Sequence, residues 1–202
     1  MPKLTNKALA TGADRMQAAI REIIAYIGDD PTRGGLLETP DRVVKSWGEL
    51  FEGYSMDPET ILKTFDDGAE QDVHKTGSIV LLTNIPVKSV CEHHMIPFLG
   101  FAHVAYIPKH HIVGISKLDR LVNCFARRLQ VQERLTNQIV DAIEAHLEPL
   151  GSACIITAKH LCMHGRGVNH PDVATTTSSV RGAFRMNDAA RQELMALVGM
   201  AK

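Results

Sequence analysis

The sequence is short of net charge, of long apolar runs and of cysteine, and each shortage excludes something. Twenty-two basic residues against 23 acidic ones leave a formal charge of −1. No global field therefore draws the chain to nucleic acid or to an anionic membrane, and any anion must be held by a local cluster. No stretch approaches the roughly 20 apolar residues needed to cross a bilayer, and the polar residues 1–7 lack the apolar run of a signal peptide. A cytoplasmic protein is expected, with neither nucleic acid nor membrane as partner. Only four cysteines occur, Cys91, Cys124, Cys154 and Cys162. Without a secretory signal they read as metal ligands or buried thiols rather than as a disulfide framework. Internal repeats and low-complexity tracts are also missing.

What is present suits one ordinary core with an appendage: 202 residues, 45% hydrophobic and 22% charged. Met16, Ile20, Ile23, Ile24 and Ile27 recur at helical spacing, and a second helix is expected from Thr39-Pro40 through Val43, Val44, Trp47, Leu50 and Phe51, with threonine as cap and proline at the first position. Residues 55–77 show no clear periodicity and read as a connection, which places an N-terminal helical arm over residues 1–75 and the main domain over 76–202. There, strand-like runs lie at 79–83 and 100–108. Helices are expected from Ser116, with a capping-box pattern, and from about Glu133 to near Pro149-Leu150-Gly151. A strand is expected over residues 153–162, another from Thr175, and a last helix from Asp188. This order reads as α+β with an antiparallel sheet.

The chemistry concentrates in Cys91-Glu92-His93-His94 and Lys159-His160-Leu161-Cys162. Cys91, His94 and Cys162 offer two thiolates and an imidazole, a soft donor set for zinc that is one short of a closed tetrahedron. The alternative is two buried thiols and a surface histidine, but the Cys-x-x-His pair in a loop and a third thiolate beside a histidine favour metal. Alternation along the late strand aims His160 and Cys162 the same way. His164 could supply a fourth ligand; a closed site would be structural, whereas an open one generates hydroxide at neutral pH. His93 and His160 read either as satisfied histidines behind the ligands or as general acids and bases.

Lys117 and Arg120 lie in the first turn of the helix that opens at Ser116, where the dipole disfavours cations, so an anion such as a polyphosphate is expected there. Arg166, Arg42 and Lys45 are further candidates, the last two being equally ordinary as solvated surface charge. Glu133, at its helix start, is favoured by the dipole alone; a buried carboxylate there could instead pair with the N–H and NH₂ donors of a guanine edge.

Taken together, Cys91-Glu92-His93-His94, Val104-Ala105-Tyr106-Ile107-Pro108, the run Gly114 to Arg120, the run Gln130 to Thr136, His160-Leu161-Cys162 with Arg166-Gly167, and the threonines from Thr175 closely resemble GTP cyclohydrolase I over roughly residues 15–200. The resemblance implies the tunnelling fold, an antiparallel four-stranded sheet with two helices on one face, joined into an allosteric homo-oligomer, a decamer built as a dimer of pentamers with active sites between subunits. It implies zinc on Cys91, His94 and Cys162, and proton transfer by His93, His160 and Ser116. Guanine would be read by Glu133 and Gln132, and the triphosphate and ribose held by Ser116, Lys117, Arg120 and Arg166, with Arg42 and Lys45 reaching a neighbouring subunit's triphosphate. The implied reaction is hydrolytic opening of the imidazole ring of GTP, with release of formate and formation of 7,8-dihydroneopterin triphosphate in tetrahydrofolate biosynthesis. His164-Gly165 and Asn169-His170-Pro171-Asp172 depart from the family pattern. Two other readings stand beside it: a non-catalytic nucleotide-binding protein whose structural zinc is closed by His164, and a pterin-processing relative of the same fold.

Overall fold

The computed structural model describes residues 12–63, 78–109 and 112–200. The chain forms two compact units, residues 1–50 and 51–202; the arm boundary expected near residue 75 lies outside the described residues. In the first unit α1 (Gly12–Tyr26) and α2 (Thr39–Leu50) form where the spacing of apolar residues predicts, with Ile20 and Ile24 buried. The connection between them turns at Gly28 and is held by Asp29, whose carboxylate accepts from Arg33 at 2.7 Å. That guanidinium, together with the Asp30 N–H, holds the Asp29 carboxyl down at a pKa of about 2.

In the second unit a short helix α3 (Pro58–Ile61) starts at Asp57, whose carboxylate accepts from the Glu59 N–H at 3.1 Å. The sheet follows. Strands β1 (Val80–Cys91) and β2 (Pro97–Ile107) form a hairpin whose loop carries the Cys-x-x-His pair. β1 runs well past the short stretch expected from its composition, through a bulge between Leu82 and Ile85, where Asn84 adopts a φ of 55°. Next come α4 (Ile115–Ala126), the two-residue strand β3 (Leu129–Gln130), α5 (Gln132–Leu147) and β4 (Gly151–His160). A single helical turn α6 (Leu161–His164), β5 (Thr175–Gly182), another turn α7 (Ala183–Met186) and α8 (Asp188–Met200) complete the chain.

Among the described residues the sheet has five strands in the order β3-β1-β2-β4-β5. Four of them pair antiparallel; the fifth, β3, pairs parallel with the end of β1, Cys91 opposite Gln130, where a purely antiparallel sheet was expected. The sheet is therefore mixed, and β3 was invisible in the sequence because two residues carry no period.

Alternation sorts the side chains. Val104, Tyr106, Cys154, Ile156 and Ala158 pack with Leu118, Leu121 and Val122 of α4 and Leu135, Ile139 and Ile143 of α5. Their neighbours Ala105, Ile107, Ala153 and Ile155 face the other way and pack with Phe184, Leu194 and Val198. Two helices thus cover one face as expected, and α8 covers part of the other. Gly100 allows β2 and β4 to approach closely, since a Cβ there would lie 2.0 Å from the Thr157 carbonyl oxygen.

Candidate active site

The site is built at the end of the sheet where β1 finishes and β2 begins. The backbone closes the ligand turn tightly: Met95 N–H donates to the Cys91 carbonyl at 2.8 Å and Cys91 N–H to the Ile96 carbonyl at 3.0 Å, with Met95 at a φ of 54°. Across the sheet Phe98 faces His160 in the β2–β4 register, so the end of β4 lies beside the turn.

The expected late strand stops at His160, two residues early. Cys162 sits in the helical turn α6 that follows, so it reaches the site by reversal of the chain and not by strand alternation. With that correction the three candidate ligands do converge: one ligand atom each from Cys91, His94 and Cys162 lies within 4.8 Å of the others. Both cysteines are buried and His94 is exposed, leaving the trio open on one side. Burial, and then the adjacent Cys91 sulfur, push the Cys162 thiol upward. Two thiolates side by side need a cation between them, and a soft divalent ion meets that need. His164 lies outside the trio; its Nε2 is 3.0 Å from the Val173 carbonyl, which can only accept, so that nitrogen carries a proton.

The trio opens on a cavity of about 280 Å³ that His93, Gln132, Glu133, His160 and Thr175 also line. His93 Nδ1 lies 3.7 Å from Cys91 Sγ. His160 is stacked on Phe98, centroids 4.6 Å apart and planes at 12°. Desolvation lowers the pKa of His160, opposed by the nearby Glu133 carboxylate and reinforced by His164.

Gln132 lines the cavity and is also bonded within the protein. Its amide nitrogen donates to the carbonyls of Ile156 (3.0 Å) and Thr175 (3.0 Å) and to Thr177 Oγ1 (3.1 Å), while its Oε1 accepts from His160 Nε2 at 2.8 Å. The side chain is buried and committed within the protein, and it holds a histidine. The signal was present, since glutamine at the start of a buried helix must find partners, but its partners could not be read from the sequence.

The cations are arranged less tightly. Arg166 Nη1 lies 3.2 Å from His94 Nε2, at the edge of the trio. Ser116 and Lys117 occupy the first turn of α4 and Arg120 the second, and none of the three lines the cavity. Ser116 is not the cap: the helix begins after Gly114, without a side-chain cap hydrogen bond, and the Lys117 N–H donates to the Gly114 carbonyl at 2.8 Å. The Lys117 ammonium donates to the Lys63 carbonyl. In the first unit, Arg42 pairs with Glu38, the residue just before α2 (2.5 Å), and Lys45 with Asp41 within it (2.7 Å). Among the described residues no helix is long and apolar enough to cross a membrane.

Comparison with known proteins matches the sequence to a family. The profile of a family described as GTP cyclohydrolase I covers residues 16–199. Proteins named GTP cyclohydrolase 1 are similar along nearly their whole length. The one from Thermoanaerobacter pseudethanolicus is 45% identical over 190 residues, 94% of this chain and 98% of that protein. The one from Corynebacterium glutamicum is 48% identical over 188 residues, 92% of each chain. The one from Wolinella succinogenes is 49% identical over 181 residues, 89% of this chain and 94% of that protein.

Proposed function

The chain belongs to the GTP cyclohydrolase I family, and from that membership we propose that it opens the imidazole ring of GTP by hydrolysis, releasing formate and forming 7,8-dihydroneopterin triphosphate, the first step of tetrahydrofolate biosynthesis. One observation carries the reading at the level of residues: Cys91, His94 and Cys162 converge within 4.8 Å on a cavity that His93, His160 and Glu133 share.

Cys91, His94 and Cys162 would hold zinc, which their thiolate and imidazole donors fit, while His164 is engaged with the Val173 carbonyl instead. Zinc bound there supplies a Lewis acid and brings the pKa of water to about 7. His160, held by Gln132 with a proton on Nε2, would exchange its second proton with the purine through Nδ1; His93, beside Cys91, would be the second proton carrier. The Glu133 carboxylate accepts from the N–H and NH₂ donors of guanine. Gln132 supports this by holding His160.

Ser116, Lys117, Arg120 and Arg166 would bind the triphosphate and ribose, and Ser116 would also move protons in the later steps. Arg42 and Lys45 would act on a neighbouring subunit's triphosphate. A cavity of about 280 Å³ in one chain is small for a whole nucleoside triphosphate, which supports a site completed by other copies in a tunnelling-fold decamer. A cytoplasmic location follows the same reading.

The test is direct. Purified protein supplied with GTP and zinc is expected to release formate and to yield a fluorescent pterin after oxidation, and EDTA is expected to abolish both. Metal-replete protein of the expected oligomeric mass that leaves GTP intact would refute the reading.

A further inference from the structure

The turn that carries Cys91 and His94 is braced to the start of α5 by contacts the proposed reaction does not use. Cys91 pairs with Gln130 across β1 and β3, and the Glu92 N–H donates to the Gln130 carbonyl at 3.0 Å. Side chains repeat the connection. The Glu92 carboxylate accepts from Arg134, and the same guanidinium donates through Nε to Gln130 Oε1 at 3.1 Å.

Gln130 is itself immobilised. It is buried, and its amide nitrogen donates to the Phe125 carbonyl at 2.9 Å and to Gln138 Oε1 at 2.8 Å. A backbone carbonyl can only accept, so the amide nitrogen must face Phe125 and Oε1 is the atom left for Arg134. Arg134 therefore spans two acceptors at once, one fixed in the core and one in the ligand turn. A guanidinium does this from two nitrogens held in a fixed fork, whereas an ammonium would have to reach both acceptors from one nitrogen.

Stability does not explain the arrangement. The ion pair is partly exposed, 44% for Arg134 and 33% for Glu92, and pairs of that kind contribute on the order of 0–1 kcal/mol. Neither side chain lines the cavity. Their positions in the chain are more telling: Glu92 lies between Cys91 and His93, and Arg134 directly follows Glu133. The bond ties the turn bearing two ligand candidates to the helix start bearing the guanine-reading carboxylate.

We propose that Arg134 and Glu92 are positioning residues, a brace that holds Cys91 and His94 in ligating geometry and so sets how long the metal stays. The proposal rests on the reading of Cys91, His94 and Cys162 as a metal site. Wild type, Glu92→Gln, Arg134→Met and the double variant are loaded with zinc as full chains, and transfer of zinc to a chromogenic chelator is followed by absorbance. Loss of a partner behind a ligand typically costs 10- to 100-fold in metal affinity. Each single variant is expected to release zinc about 10-fold faster or more, and the double variant no faster than the quicker single, because both changes act on the shared Glu92–Arg134 bond, Arg134→Met removing the bond to Gln130 as well. Arg134→Lys, which keeps the charge but not the fork, is expected to fall between. The metal-free forms are expected to melt within about 4 °C of metal-free wild type.

Equal release rates across the series would overturn the brace, as would rates that multiply in the double variant. Metal-free variants melting far below metal-free wild type would overturn it in favour of a packing role. If Arg134→Met does not fold, the near-isosteric Glu92→Gln decides alone. Wild type that takes up no zinc would overturn the metal reading and the brace with it; wild type that holds zinc while the variants release it no faster overturns the brace alone.

Discussion

Nε2 of His160 lies 2.8 Å from Oε1 of Gln132, and only one arrangement of protons satisfies both residues. The two backbone carbonyls that meet the other end of the Gln132 amide, those of Ile156 and Thr175, can only accept. The amide nitrogen must therefore face them and Oε1 must face the imidazole. His160 Nε2 is consequently the donor, and Nδ1 is bare whenever the ring is neutral.

Gln132→Met is expected to release this constraint without touching the ligand trio. Zinc content should stay at the wild-type level while kcat falls roughly 10- to 100-fold, part of the 10²–10⁴ that a positioned acid–base group provides. Leaving two buried carbonyls without their donor should also cost about 1–3 kcal/mol of stability. Metal analysis beside steady-state kinetics and a denaturation curve reads all three, and unchanged kcat would show that His160 does not depend on Gln132.

Ligation and proton transfer should separate by mutation. Cys91→Ser is expected to lose zinc and turnover together, since it removes a buried soft ligand from a set of three. His160→Ala is expected to retain zinc and lose about 10²- to 10⁴-fold in kcat. Turnover retained in His160→Ala would remove its catalytic role.

Gly100→Ala should be among the costly single-methyl changes in the sheet. The added Cβ would meet the Thr157 carbonyl oxygen at 2.0 Å and the Ala158 Cα at 2.5 Å, both backbone atoms that cannot step aside. Overpacking of this kind costs roughly 1–3 kcal/mol, or a fall of several degrees in Tm for a chain of this size. Because β4 is the strand displaced, and His160 ends it, kcat should fall as well. A wild-type melting curve would mean that β2 and β4 separate more readily than their register implies.

Alkaline pH should destabilise the fold through groups buried in their neutral forms. Burial pushes the Cys154 thiol and the Tyr106 phenol above their ordinary values, the latter despite the Val113 N–H that donates to Tyr106 at 3.0 Å. Above the ordinary thiol pKa of about 8.5 and phenol pKa of about 10, the unfolded chain releases protons that the folded chain retains. The unfolded state then binds fewer protons, so stability is fully present below about pH 8.5 and declines as pH rises beyond it. Denaturant unfolding between about pH 7.5 and 10.5 measures the slope over that window, and Cys154→Ala should flatten its lower part. A slope unchanged by Cys154→Ala would assign the decline to other groups.

Much of the fold was legible because its signals are local. The spacing of Leu118, Leu121 and Val122, and of Leu135, Ile139 and Ile143, marked the helices that form the main core. The β-branched runs marked the long strands. Signals at element ends misled: Ser116 looked like a cap but lies inside its helix, and alternation carried the late strand to Cys162 although it ends at His160. A capping pattern or a period of two cannot say where the chain leaves the sheet, because that depends on the partner strand.

The sequence by itself determined which groups this protein has for chemistry: two thiolates and an imidazole suited to zinc, histidines beside them, a carboxylate at a helix start, and the ordered motifs of one family. Only the tertiary structure decided how these groups are held. The parallel pairing of Cys91 with Gln130, the Arg134 fork between Gln130 and Glu92, and the aim of Gln132 at His160 all join residues far apart in the chain. The physical reason is directional. Hydrophobic burial follows periodicity within a segment, whereas a hydrogen bond needs a particular donor opposite a particular acceptor, and strand register and helix packing supply that partner.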